Sequence, residues 1–170
     1  MKPAGGAAPG RAATLTRGAH DARALLSADD FMAVVATVAG NNPDMGWTMA
    51  ERVTVEGLKF VAAGARTDKG IAPSRVVDEG WHALILHTAV YAGLNKRLGG
   101  EFVHHYPQLP DAGRYDPAVH EHTLAAIRAA GYEPDLELWT APGDGVTEVS
   151  AKCQHAPSCA IRPMPKPEWP

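Results

Sequence analysis

Four stretches of the chain carry apolar side chains at helical spacing, and runs rich in glycine, proline and asparagine separate them. The first is FMAVVATVA at 31–39, preceded by SADD at 27–30. There the Ser27 hydroxyl is placed to accept a bond from the Asp30 amide, and acidic side chains occupy the first turn. Gly40, Asn41, Asn42 and Pro43 end this helix. TMAE at 48–51 has the form of a capping box, with Thr48 as cap and Glu51 reaching back, and opens a second helix that runs to about Gly64. On it Val55, Leu58, Val61 and Ala62 share one face while Arg52, Glu56 and Lys59 share the other, so the second face is expected in water.

Ser74 is the expected cap of the third and longest helix, 75–98, ended by Gly99 and Gly100. At 100° per residue Val77, Trp81, Leu84, Thr88 and Tyr91 make one stripe, and Ile85, Leu86, Val90 and Leu94 fill the remaining directions. A helix apolar on nearly every side belongs at the centre of a domain. The next segment, EFVHHYPQLP at 101–110, is too short and proline-flanked for a helix and reads as extended backbone, with His104 and His105 pointing to opposite sides. The last helix lies in DPAVHEHTLAAIRAAGYEPD at 116–135, capped by Asp116 with Pro117 in the first position. It turns His120, Leu124 and Ile127 inward, and Glu121, His122 and Arg128 outward. LELWTAPGDGVTEVSAKC at 136–153 is expected to add a short strand pair around PGDG.

The fold expected is therefore mainly α: a four-helix domain around the central apolar helix at 75–98, with short extended segments. Its boundaries fall at 27–150, flanked by a disordered tail at 1–26 and a Cys/His- and proline-rich tail at 151–170. Composition agrees with one core, since 170 residues are 45% hydrophobic and the 17 glycines and 14 prolines crowd toward the ends. A net charge of -3, with 16 Lys and Arg scattered among 19 acids, offers no basic face and argues against nucleic acid as a partner. The basic start lacks the apolar run of a secretory signal, and the longest charge-free apolar stretch, 81–94, is shorter than the roughly 20 residues a bilayer requires. A cytoplasmic protein without a membrane partner is the expectation, with the two tails as the surfaces open to a protein partner.

The chemistry concentrates in the third helix. Asp78 and His82 are four apart, about 40° from each other, so the carboxylate can hold an imidazole nitrogen or both can bind one metal. Glu79 and His82 form an E-x-x-H spacing, but di-metal helical bundles need that motif on two helices and this chain has it on one. His87 lies about 140° round from His82 and does not share one small site with it, so it reads as a core histidine bonded within the protein. The candidate ligands are thus Asp78, His82, His104 and His105. A second constellation is CQHAPSC in the tail, where Cys153, His155 and Cys159 are three of the four ligands a tetrahedral zinc takes; a disulfide or free thiols is the other reading of the same residues. No nucleophile elbow, H-E-x-x-H, phosphate-cradling glycine loop or dinucleotide fingerprint occurs.

VVDEGWHALILHTAVYAGL followed by GGEFVHHYP resembles a group of uncharacterised, mostly actinobacterial small proteins with a D-E-x-W-H-x-x-I-L-H-T-x-x-Y pattern and an F-x-H-H-x-P segment. A shorter core of this pattern is similar to the domain of plant glycine-rich-domain-containing proteins, without their long glycine-rich region. The matching positions are Asp78, Trp81, His82, Tyr91 and His105, with Glu79, His87, Thr88 and His104 in the fuller pattern. The resemblance implies that Asp78 and His82 act as a unit, and it implies no reaction. Three functions are carried forward. One is a small helical protein that binds zinc or another divalent transition metal through Asp78, His82, His104 and His105, closed by Cys153, His155 or Cys159. The second is a non-haem metalloenzyme with an open Asp/His site, and the third an interaction module whose histidines are structural.

Overall fold

The computed structural model describes residues 19–99, 102–106, 116–140 and 160–161. Among them five α-helices follow in order: α1 (Ala28–Asn41), α2 (Trp47–Gly64), α3 (Arg75–Leu86), α4 (Thr88–Leu98) and α5 (Pro117–Ala129). Short 3-10 turns lie at Ala22–Leu25 and Leu136–Leu138, and β1 (His104–His105) pairs antiparallel with β2 (Ala160–Ile161), His105 opposite Ala160. The domain is mainly helical, as expected.

Three expected caps form. The Ser27 hydroxyl accepts from the Asp30 amide at 3.1 Å, Ser74 from Val77 at 3.2 Å, and the Asp116 carboxylate from Ala118 at 2.8 Å. Ser74 also donates to the Leu138 carbonyl, which ties the start of α3 to the second 3-10 turn. The expected box at Thr48 does not form, because α2 begins one residue earlier, at Trp47, with Gly46 in the cap position. Glu51 instead accepts from Trp47 Nε1 at 3.2 Å and from Arg23 at 2.7 Å, a long-range charged donor that displaces the local reciprocal bond.

The 75–98 helix is two helices. His87 has φ -86° and ψ 66°; its N–H bonds Leu84 three residues back, while its carbonyl accepts from Tyr91 at 2.9 Å and starts α4. The His87 ring is drawn to α1, with Nε2 2.8 Å from Thr37 Oγ1. Because that hydroxyl donates to the Ala33 carbonyl, His87 supplies the proton of the shared bond. The break swings α4 back, so that Trp81 Nε1 donates to the Tyr91 hydroxyl at 2.9 Å. On an unbroken helix those two residues would stand about 15 Å apart along the axis.

Other departures share one cause, the path of the chain after α5. Arg52 pairs with Asp135 at 2.7 Å and Glu137 at 2.6 Å, and Lys59 donates to the Glu133 carbonyl at 2.7 Å, drawing residues 133–139 across the charged face of α2. The bonds from Glu137 and Asp135 raise the Arg52 pKa. Glu56, expected in water, is buried there and accepts from Trp139 Nε1 at 2.7 Å and Lys59 at 2.5 Å. Residues 136–138 are consequently a 3-10 turn, not the start of a strand pair, and the remainder of the expected pair, 141–153, lies outside the described residues. Order also begins before 27, since Ala22 and Leu26 belong to the core. Of the tails expected at 1–26 and 151–170, residues 1–18, 151–159 and 162–170 lie outside the described residues.

α2 packs against α1, α3 and α5, and its Val53, Leu58, Phe60 and Val61 are fully buried. Val34, Val35 and Val38 of α1, Val77, Trp81 and Leu84 of α3, and Ile127 of α5 join them in one cluster. The helices α2 and α3 meet backbone to backbone at Gly57 and Gly80. A Cβ on Gly57 would lie 2.8 Å from the carbonyl carbon of Gly80, and one on Gly80 would overlap the Val53 carbonyl. No helix among the described residues is long and apolar enough to cross a membrane.

Replacing Gly80 by alanine should therefore cost about 3 kcal/mol or more, the upper range for overpacking. Gly40→Ala, at an exposed position with no neighbouring atom within 4 Å, should instead stabilise by about 0.5 kcal/mol. Urea denaturation of the two variants measures both, and equal midpoints would disprove the close crossing.

Candidate metal centre

Three side chains converge where α3 meets β1. Asp78 lies in the first turn of α3 with its carboxylate wholly shielded from solvent, and His82 lies one turn later with 32% of its side chain exposed. His105 enters from β1 and is 10% exposed. His105 Nε2 is 3.2 Å from Asp78 Oδ1 and 3.2 Å from His82 Nε2, and His82 Nε2 is 3.6 Å from Asp78 Oδ2. The imidazole planes stand at 72°, and Trp81 meets His105 in a T-shaped contact with centroids 4.4 Å apart.

Protons alone fit this arrangement poorly. A neutral imidazole Nε2 either carries a hydrogen or offers a lone pair. If His105 Nε2 carries the hydrogen, that single proton serves both Asp78 and His82; if it does not, its lone pair faces a carboxylate oxygen. One cation placed among the two nitrogens and the carboxylate would serve all three side chains. A tetrahedral zinc, with bonds of about 2.0–2.1 Å, holds its ligand atoms about 3.3 Å apart. The 3.2 Å between the two Nε2 atoms and the 3.2 Å from His105 Nε2 to Asp78 Oδ1 match that edge, His82 lies 3.6 Å from the other carboxylate oxygen, and one ligand atom from each residue lies within 4.8 Å of the others.

The other expected residues that are described fall elsewhere. His104 points to the opposite side of the strand, its ring 4.9 Å from that of Phe102, and is not in the cluster. Cys153, His155 and Cys159 lie outside the described residues. Glu79 is buried and accepts from Asn42 Nδ2 at 2.9 Å, so the E-x-x-H spacing does not converge on one point. His87 is held by Thr37, away from His82 as expected. His120 faces the Trp139 ring at 6.3 Å, also outside the cluster. His122, expected in water, is half-buried beside Arg66 and a row of alanines between α2 and α5.

Asn95 was not singled out by sequence pattern. Its Oδ1 accepts from the Val103 amide at 2.7 Å and its Nδ2 donates to the Tyr91 carbonyl at 2.8 Å. The available signal was a polar residue one turn from Tyr91 and directly beside the buried Leu94. The Tyr91 phenol is pushed up to about 12 by burial, which outweighs the bonds from Trp81 and Asn95. It is a neutral hydroxyl at ordinary pH and no phenolate ligand.

Residues 28–112 match the family described as UCP032817-like. The chain belongs to that family. The UCP032817-like span takes in α1 to α4 and β1, hence Asp78, His82 and His105, and stops before α5 and both cysteines. The function of the UCP032817-like family is unknown, and no curated protein and no solved structure matches the chain.

Burial lowers the pKa of His120 below its ordinary 6.5, against the opposing pull of Glu121. The unfolded chain therefore takes up this proton first, and the stability linked to His120 is complete above the unfolded value and falls as pH drops through about 6.5. Comparing urea midpoints at about pH 7.5 and about pH 5.5 should show a smaller acid loss in His120→Gln than in wild type. An identical loss in both would refute the assignment.

Proposed function

We propose that the protein is a small metal-binding helical protein in which Asp78, His82 and His105 hold one divalent transition metal, zinc in the first place. The observation that carries this reading is the convergence of two imidazole nitrogens and a buried carboxylate at 3.2–3.6 Å. Nitrogen and carboxylate donors suit zinc, iron and other first-row ions, whereas an all-oxygen shell would be needed for magnesium or calcium.

Three protein ligands leave a fourth position. A zinc with three protein ligands and a water acts as a Lewis acid, whereas a fourth protein ligand closes the site and makes the ion structural. The exposed flank of His82 supports the open, enzyme-like form. The soft donors Cys153, His155 and Cys159 support the closed one.

Metal analysis of the purified full chain, after loading with zinc and dialysis, should find about one ion per chain. Asp78→Asn and His82→Ala should lose it, and His87→Ala should keep it. Loss in a Cys153→Ser/Cys159→Ser variant as well marks the closed site, and retention there marks the open one. Zinc at about 100 times its Kd should add about 2.7 kcal/mol of stability, and removal by a chelator should reverse it. No metal in the wild-type chain, or the same content in every variant, would leave the interaction module as the function.

A further inference from the structure

Of the three ligands, His105 alone lies outside α3. The helix sets the spacing of Asp78 and His82 without help, because residues four apart on a helix are neighbours. His105 has no such guarantee: it sits in a two-residue strand, in the short described stretch 102–106 beyond the end of α4. What holds that stretch decides whether the third donor is in place when a cation arrives.

We propose that Tyr91 and Asn95 of α4 are positioning residues of the centre: they grip both backbone groups of Val103 and so aim His105 at Asp78 and His82 before any metal binds. The inference rests on the reading of Asp78, His82 and His105 as a metal site. The Asn95 side-chain oxygen accepts from the Val103 N–H at 2.7 Å, and the Tyr91 hydroxyl donates to the Val103 carbonyl at 2.5 Å. Neither bond has slack, because Asn95 is itself tied to the Tyr91 carbonyl and the Tyr91 oxygen also accepts from Trp81 Nε1. In extended backbone residues two apart share a side, so fixing Val103, which is buried, fixes the direction of His105 and turns His104 away. Tyr91 acts by a second route too, since it anchors the indole that packs T-shaped against the His105 ring.

This accounts for Trp81 and Tyr91, which the sequence pattern singled out and the ligand set leaves unused. It also gives the break at His87 a consequence, because only the returned α4 can present Tyr91 and Asn95 to Val103. A merely structural role for Tyr91 would show in stability alone. A positioning role shows in metal affinity and in the place of the His105 ring.

Tyr91→Phe keeps the ring that packs edge-on against Phe102 and removes only the oxygen. Zinc titration of this variant should give a Kd weaker by roughly 10–100-fold, the usual effect of losing a group that orients a ligand. Asn95→Ala should behave alike, which covers the case of one variant failing to fold. Trp139→Phe, which removes a buried bond to Glu56 and shares no hydrogen bond with the centre, should lower Tm while keeping the wild-type Kd. In the metal-free proteins, nuclear Overhauser contacts between His105 and Trp81 should persist in wild type and Trp139→Phe and weaken in Tyr91→Phe. Unchanged contacts and Kd in Tyr91→Phe would overturn the proposal, as would an equal loss of affinity in Trp139→Phe. A wild-type chain that binds no zinc would refute the metal site itself, and the Overhauser contacts would still decide whether Tyr91 places His105.

Discussion

The approach of α2 and α3 at Gly57 and Gly80 is the constraint from which the rest of the arrangement follows. With no side chain on either residue the two backbones come together to the point where a single added carbon would overlap a carbonyl group. At that distance Val53 and Phe60 on one helix and Val77, Trp81 and Leu84 on the other join one buried cluster. Asp78 and Glu79, the residues just before Gly80, are both buried. Each then requires a polar partner inside the protein, because an isolated buried carboxylate is far costlier than a paired one. Glu79 finds Asn42, and Asp78 finds the two histidines.

Asp78 with His82 and His105 forms a different kind of pairing from the others in the core. The buried Glu56 is answered by Lys59 and the Trp139 indole, two plain donors, and the group is complete as it stands. The carboxylate of Asp78 is answered by nitrogens that also face one another, so the available hydrogens do not suffice for every contact. That difference sets the Asp78 group apart from a pairing that is complete in itself. His82 is also partly exposed, whereas Asp78 is wholly buried.

Much of the helical framework could be read from the chain. The spacing of Val34, Val35 and Val38, the caps at Ser27, Ser74 and Asp116, and the stops after residues 41 and 64 are local features, and local geometry is what periodicity and capping report. Asp78 with His82 was legible for the same reason, being one helical turn. Thr48 and Glu56 were misread because their surroundings are built by distant residues: Arg23 takes Glu51, and residues 133–139 cover the face that carries Glu56. The break at His87 was hidden likewise, since its partner Thr37 is on another helix and the apolar pattern runs across the break unchanged.

The sequence by itself determined which residues could bind, through their chemistry and their spacing along one helix: a carboxylate, an imidazole one turn on, and a pair of histidines in extended backbone of which only one can face inward. Tertiary structure decided that the inward one is His105, that Glu79 and His87 turn to other partners, and that Tyr91 returns to Trp81 and Val103. The physical reason is one of range. Turn-by-turn geometry is set by bonds between residues three or four apart, whereas the meeting of α3 with β1 depends on how two glycines and a bent helix let separate parts of the chain approach.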